Sequence, residues 1–367
     1  MIARSVCLSI RKSFISTLYL AQVFSTTTYR HFHSYIRDEF CKYKMDVNTQ
    51  KIDTARETLL INGEKFSMHR LMGASATEVV KKMMELGLDD HKIPRLPGPN
   101  PVSIERKDFE KLKTKKYAIA EKTDGVRFIM MFTRLFDFKV CTIIDRSMAA
   151  YLVPLKSIPR VLFQGTLLDG ELTVDKYGRK CFILFDAVVV SGVTVSQLDL
   201  GSRVIAMRRG LKDFKVHPTD PVELRMKAWS ELSDVTAAKT KISEAEKIYH
   251  TDGVVCIPKD DPVIYGRNFD FFKLKPKGTH TVDFILMDNN GTIGVYDPRS
   301  KRDVAIGKVS CTYQAGVVVE CEIVNNVWNV VCVRADKKQS NDLLTYEKTL
   351  LNIRENIQVD ELFDLFI

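Results

Sequence analysis

The sequence contains no Cys-x-x-Cys pair and no His-Glu-x-x-His run, and its seven histidines form no cluster. A protein-built zinc site of the common kinds is therefore excluded. The eight cysteines are scattered singly, which argues against a disulfide framework. Cys141, Cys181, Cys256, Cys321 and Cys332 each sit in an apolar run, so they are predicted to be reduced core thiols. Long hydrophobic runs are also missing. The stretch from Phe14 to Phe24 is too short and too interrupted to span a bilayer, and no membrane partner is expected. Acidic side chains are absent before Asp38, where Arg4, Arg11, Lys12, Arg30 and Arg37 stand among many Ser and Thr. That composition is shared by organelle transit peptides, by disordered extensions and by sequence upstream of a start at Met45. Residues 1–44 are set apart on this ground.

What remains is ample for a folded protein. The chain has 367 residues, 45% of them apolar, enough for two domains and a sizeable core. Lys and Arg number 55 against 46 Asp and Glu, a net charge of +9. Such an excess suits a polyanionic partner, RNA or a nucleoside triphosphate, although many basic proteins bind neither.

Periodicity predicts a helix from Ser75 to Leu86, then an extended Pro/Gly-rich loop from Pro94 to Pro101. Strands are expected at Tyr117–Ala120, ending on Glu121-Lys122, and at Val126–Phe132 and Val140–Ile144. A hairpin is expected from Leu167–Val174 and Cys181–Val190, turned at Asp175–Gly178. Helices are read at Ser202–Phe214 and Glu223–Tyr249, with strands again at Gly253–Ile257 and Phe271–Leu274. From His280 to Arg334 short alternating strands with Gly turns suggest a small β-barrel, followed by a helix over Asp342–Ile357.

The hexapeptide Lys122-Thr-Asp-Gly-Val-Arg127 carries the chemistry. A lysine at a strand end, followed by an Asp-Gly turn, presents its amine to a cleft. To attack phosphorus that amine must be neutral, whereas a free lysine has a pKa near about 10.4. Lowering it toward neutrality takes several kcal/mol, at about 1.36 kcal/mol per unit. Partial burial and neighbouring cations supply such a shift, and Arg127, Lys273 and Lys275 are the candidates.

This hexapeptide resembles motif I of the covalent nucleotidyltransferases, the superfamily of capping guanylyltransferases and polynucleotide ligases. Further segments resemble its other motifs in order: Asp169-Gly-Glu171, Phe182–Asp186, Asp252–Val255, Lys273-Leu-Lys275 and Arg334-Ala-Asp336-Lys337 with Asn341. Pro97–Ser103, Ile144-Asp-Arg146 and Thr281-Val-Asp283-Phe are similar to segments of the capping branch. Leu274 and Ser340 depart from residues common there, without removing a charge or the nucleophile.

The resemblance implies an α+β fold. A nucleotidyltransferase domain of antiparallel sheets with flanking helices is expected over 45–279. An OB-fold β-barrel is expected over 280–341 and a helical segment over 342–367. It implies Lys122 as the nucleophile that takes GMP from GTP and passes it to a 5′-diphosphate RNA end. Arg127, Glu171, Phe182, Arg267, Lys273, Lys275, Asp283, Arg334, Asp336 and Lys337 are the implied nucleotide contacts, with Mg²⁺ or Mn²⁺ held by Glu171 and Asp252. Phe182 is read as a guanine stacker or, by strand alternation, as ordinary core. The plainer reading of Glu171, a solvated hairpin carboxylate, is the lesser one given its motif context. Lys273 and Lys275, two apart on a strand, share a face that suits phosphate or a solvated edge.

The region before Pro97 lacks a His-Cys-x₅-Arg phosphatase loop. An RNA 5′-triphosphatase is accordingly expected as a separate protein, alongside RNA polymerase II, and the nucleus as the compartment. An ATP-dependent RNA or DNA ligase using the same lysine, and a catalytically silent RNA-binding subunit, are the competing expectations.

Overall fold

The computed structural model describes residues 52–88, 93–276, 278, 280–335 and 337–367. The extension over 1–44 lies outside the described residues. A hairpin of β1 (Thr54–Ile61) and β2 (Glu64–Leu71) precedes helix α1 (Gly73–Gly87) and strand β3 (Pro99–Ser103). After α2 (Phe109–Thr114) come β4 (Tyr117–Thr123), β5 (Val126–Leu135), β6 (Phe138–Ile144) and β7 (Ala150–Leu152). The hairpin of β8 (Thr166–Val174) and β9 (Lys180–Val190) follows, with the short β10 (Val193–Thr194). Helix α3 (Leu200–Gly210), β11 (Glu223–Met226), β12 (Ser230–Glu231), α4 (Val235–Ile248), β13 (Thr251–Pro258) and β14 (Gly266–Leu274) complete this part. The remainder is β15 (Thr281–Leu286), β16 (Thr292–Asp297), β17 (Arg302–Lys308), β18 (Val318–Val324), β19 (Val327–Val333), α5 (Leu343–Glu355) and α6 (Val359–Phe363).

Among the described residues these strands form three sheets. The largest has nine strands in the order β1-β2-β7-β6-β5-β8-β9-β10, with β11 parallel to β9. The second runs β12-β4-β13-β14-β3, and only β3 is parallel to its neighbour there. The third is the antiparallel sheet β17-β16-β15-β18-β19, in which the chain crosses from β17 to β18 on the other side of β15, in keeping with an OB-type module. Its outer strands β17 and β19 are not paired with each other among the described residues.

Strand β5 shows why the large sheet reads as nearly continuous apolar sequence. Phe128, Met130 and Phe132 enter one core, while Ile129, Met131 and Leu135 enter the core on the opposite face. A strand covered on both sides has no polar side to alternate with. Helix α1 supplies part of that cover through Val79 and Met83.

Two expectations need correction. Glu223–Tyr249 is not one helix: Glu223–Met226 pairs with Cys181–Leu184 of β9, and the helix starts only after Asp234. The Asp234 carboxylate accepts from the Ala237 amide, a capping signal that sets the boundary. Cys332 is exposed on the outermost strand β19, unlike the buried Cys141, Cys181, Cys256 and Cys321.

Two features of this architecture place the site. Strand β4 belongs to the second sheet and β5 to the first, so the turn Asp124-Gly125 carries the chain between them. A side chain at Gly125 would lie 2.6 Å from the Leu172 carbonyl oxygen and 2.9 Å from the Glu171 side chain, so the crossing requires glycine. The C-terminal helices tie the third sheet to the second. Leu343 and Tyr346 of α5 pack on the core of the third sheet. At the other end of α5, Asn352 donates to the Ile104 carbonyl at 2.7 Å, and Leu362 and Phe363 of α6 enter the core of the second sheet.

Candidate active site

The three sheets enclose a cleft of about 860 Å³, within the range of small-molecule sites. Lys122, Arg127, Glu171, Lys273 and Lys275 line it, and Arg334 and Lys337 reach it from the third sheet. The ordered motifs, spread along the chain from Lys122 to Lys337, thus converge on one cavity.

On the β4 side, Lys122 Nζ lies 2.5 Å from Asp252 Oδ1, and Lys275 Nζ lies 2.9 Å from Oδ2 of the same carboxylate. All three side chains keep between 19% and 28% of their surface exposed. A nucleophilic amine held in an ion pair presents hydrogens rather than a lone pair to its partner, so this contact must open before attack. Lys273, near the end of β14 and two residues before Lys275, also lines the cleft. Burial, together with the cations of Lys275 and Lys122, pushes its amine down to about 8.

Across the cleft, Arg127 is buried and forms a fork with Asp169, Nε to Oδ1 at 2.8 Å and Nη2 to Oδ2 at 2.5 Å. Its Nη1 donates to the Pro99 carbonyl at 2.7 Å and to Asn100 Oδ1 at 2.9 Å. Glu171 sits opposite Arg127 in the β5–β8 ladder. Burial pushes the Glu171 carboxyl up to about 7, against the pull of Lys122, Lys227 and Arg127.

On the third sheet, Arg334 Nη1 lies 3.1 Å from Asp283 Oδ1, and Lys337 also bonds Asp283. Asp283 is buried and lies behind these cations rather than in the cavity wall. Its backbone is fixed by Asn341, whose amide donates to the Asp283 carbonyl and whose Oδ1 accepts from the Asp283 amide, both at 2.8 Å. Asp336 lies outside the described residues.

Besides Asp283, two implied contacts are corrected. Phe182 is completely buried among Phe128, Leu172 and Leu184, because β9 alternation turns it into the core. The aromatic that β9 presents to the cleft is Phe185, beside Trp229. Arg267 is exposed at the start of β14 and does not line the cleft.

Sequence reasoning missed the far end of the cavity. Lys227 is buried there and donates to Glu121 Oε1 at 2.6 Å, to the Glu121 carbonyl at 2.9 Å and to Thr123 Oγ1 at 2.9 Å. The Trp229 indole donates to the Phe185 backbone carbonyl at 3.0 Å, which fixes the indole against β9. The assumption of a helix over this segment concealed it; a lysine flanked by apolar residues within a strand-like run was the available signal. Arg146, presented by the Asp145 turn, is a further cation at the wall.

Among the described residues no three His, Cys, Asp or Glu side chains converge as a metal cage. Asp252, with both oxygens on lysines, and Glu171 in the cleft lining are hard oxygen donors of the kind that divalent ions take.

The chain is similar to named proteins over much of its length. It is 24% identical over 322 residues to the mRNA-capping enzyme subunit alpha of Schizosaccharomyces pombe, covering 72% of this chain and 78% of that protein. It is 26% identical over 279 residues to the mRNA-capping enzyme of Danio rerio, covering 67% and 45%. With the subunit alpha of Saccharomyces cerevisiae the identity is 29% over 220 residues, covering 52% and 48%. The chain therefore spans about half the length of the latter two relatives. The family model described as mRNA capping enzyme, catalytic domain, matches residues 44–277, and that of the C-terminal domain matches 294–363. The chain belongs to the mRNA capping enzyme family.

Proposed function

We propose that this chain is a GTP:RNA guanylyltransferase working through a lysyl-GMP intermediate on Lys122. The observation that carries the reading is the convergence of Lys122, which Asp252 holds in an ion pair, and seven further cations on one cleft that also has an aromatic lining. Guanine offers a flat ring and an O6 acceptor. Phe185 and Trp229 provide the apolar faces, and the Lys227 ammonium in the same wall, whose three hydrogens go to Glu121 and Thr123, adds positive charge near that end. The phosphates then lie toward Lys273, Lys275, Arg334 and Lys337, whose charge offsets that of the triphosphate.

In the first step the Lys122 amine, released from Asp252, forms a P–N bond to the α-phosphorus. The α–β bridging P–O bond breaks, pyrophosphate leaves and the amine loses a proton. In the second step a terminal β-phosphate oxygen of 5′-diphosphate RNA attacks the same phosphorus. The P–N bond breaks, GpppN forms and Lys122 regains its proton. The cations of Arg334 and Lys337 align the leaving pyrophosphate, so both steps rest on positioning and charge. Mg²⁺ or Mn²⁺, held by Asp252 and Glu171 with phosphate oxygens, would supply further charge neutralisation.

A separate RNA 5′-triphosphatase would make the diphosphate end, and association with RNA polymerase II in the nucleus would deliver nascent transcripts. Among the described residues no helix is long and apolar enough to cross a membrane.

Incubation with α-labelled GTP and divalent metal is expected to give a covalent labelled adduct that is lost in Lys122→Ala. Labelling by ATP in preference to GTP would replace this reading with a ligase. Absence of label from both nucleotides would leave a silent RNA-binding subunit.

A further inference from the structure

Behind the cleft wall, Asp169 of β8 and Asp186 of β9 stand directly opposite each other in the antiparallel ladder. Their side chains keep only 1% and 5% of their surface exposed. Two buried carboxylates so placed repel each other and favour taking up a proton. Each is met by its own arginine. Arg127 forks onto Asp169 from the cleft side. Arg203, on helix α3, forks onto Asp186 from the far side, Nε to Oδ1 at 2.7 Å and Nη2 to Oδ2 at 2.9 Å. The four groups form a buried row with charges plus, minus, minus, plus.

Arg203 is 1% exposed and is not part of the cavity lining. Its Nη1 donates to the carbonyls of Leu198 at 2.5 Å and Asp261 at 3.0 Å, so its plane is fixed by three separate chain segments. The inner pair is equally tight. A side chain at Gly98 would lie 2.4 Å from both Arg127 Nη2 and Asp169 Oδ2, so the loop passes close over the fork. Burial and the Asp186 charge both push the Asp169 carboxyl upward, and Arg127 opposes them.

We infer that Arg203 is a positioning residue for the nucleotide: by balancing Asp186 it leaves Asp169 free to hold Arg127 in its cleft-facing orientation. Without Arg203, two buried carboxylates would share one arginine. The fork on Arg127 would then be weakened either by a proton taken up between the carboxylates or by their mutual repulsion. The inference rests on the proposed nucleotide site.

The test compares Asp186→Asn, Arg203→Met and the double variant with the parent chain. GTP affinity is measured directly, KM and kcat for adduct formation are separated, and folding is followed by thermal melting. Arg203→Met is expected to weaken GTP binding by about tenfold, with kcat at saturation changed by less than about twofold. The double variant, which removes the outer carboxylate charge together with its arginine, is expected to recover most of that affinity. Parent-like affinity in Arg203→Met, or a double variant no better than Arg203→Met, would overturn the inference. If Arg203→Met does not fold, Arg203→Lys takes its place. It keeps the charge but loses the fork, so a loss of a few-fold is expected and an unchanged affinity overturns the proposal. A parent chain that binds no GTP would instead overturn the nucleotide reading itself.

Discussion

The two walls of the cleft hold their charges in opposite ways. On the β4 side, Asp252 shares its oxygens between Lys122 and Lys275, and all three side chains remain in contact with solvent. On the β5 side, Arg127 and Asp169 are almost wholly buried and geometrically saturated. An exposed pair exchanges partners cheaply, whereas a buried fork cannot be opened without stranding a charge. The first suits a nucleophile that must change partners during a reaction, and the second suits a group that must hold still.

Four experiments would break or sharpen that contrast. The largest effect belongs to the nucleophile. Lys122→Ala, and equally Lys122→Arg, whose guanidinium stays protonated, should yield no labelled adduct on a denaturing gel. Next, the two carboxylates should exchange phenotypes. Asp252→Asn should slow adduct formation on the order of 10²-fold while costing about 1 kcal/mol of stability or less. Asp169→Asn leaves the buried Arg127 unpaired and should cost about 3–5 kcal/mol in urea unfolding. Equal stability losses in the two variants would erase the distinction between the walls.

A smaller effect separates two aromatic residues of one strand. Phe182→Leu should lower stability by about 1–3 kcal/mol and leave the KM for GTP of the folded protein unchanged. Phe185→Leu should raise KM several-fold and leave the melting temperature near that of the parent. The opposite pattern would restore Phe182 to the site.

The smallest effect lies in pH dependence. The folded Glu171 carboxyl is raised to about 7, so its contribution to stability is full below the unfolded carboxylate pKa and is lost as pH rises toward 7. Glu171→Gln should therefore gain melting temperature relative to the parent between about pH 5 and 7. Lys273, lowered to about 8, acts with the opposite slope. The folded state binds fewer protons there than the unfolded state, so stability should rise between about pH 8 and 10, and Lys273→Met should flatten that rise. A stability profile of the parent that is flat in both windows would contradict both shifts.

Much of the fold was legible because its signals are local. The apolar runs of β5, β8 and β9, the Asp175–Gly178 turn and the stripe of α1 all follow from periodicity and turn chemistry. The segment Glu223–Tyr249 was not legible, because β11 is a strand only by virtue of pairing with β9. The same error hid Lys227 and Trp229 from the list of cleft residues. Phe182 and Phe185 differ only in strand parity, and parity has no functional meaning until one knows which face is the core.

Residue types in ordered motifs determined, without coordinates, that this chain belongs with nucleotidyltransferases, and they singled out Lys122 and its cations as the proposed nucleophile and phosphate contacts. That information survives in one dimension because the chemistry constrains residue identity at close spacing. Only the tertiary structure decided which charges are neighbours: Asp252 with two lysines, Asp169 with Asp186, Arg203 behind the wall. Electrostatic partnership depends on distance and burial in space, and neither is written in the separation of residues along the chain.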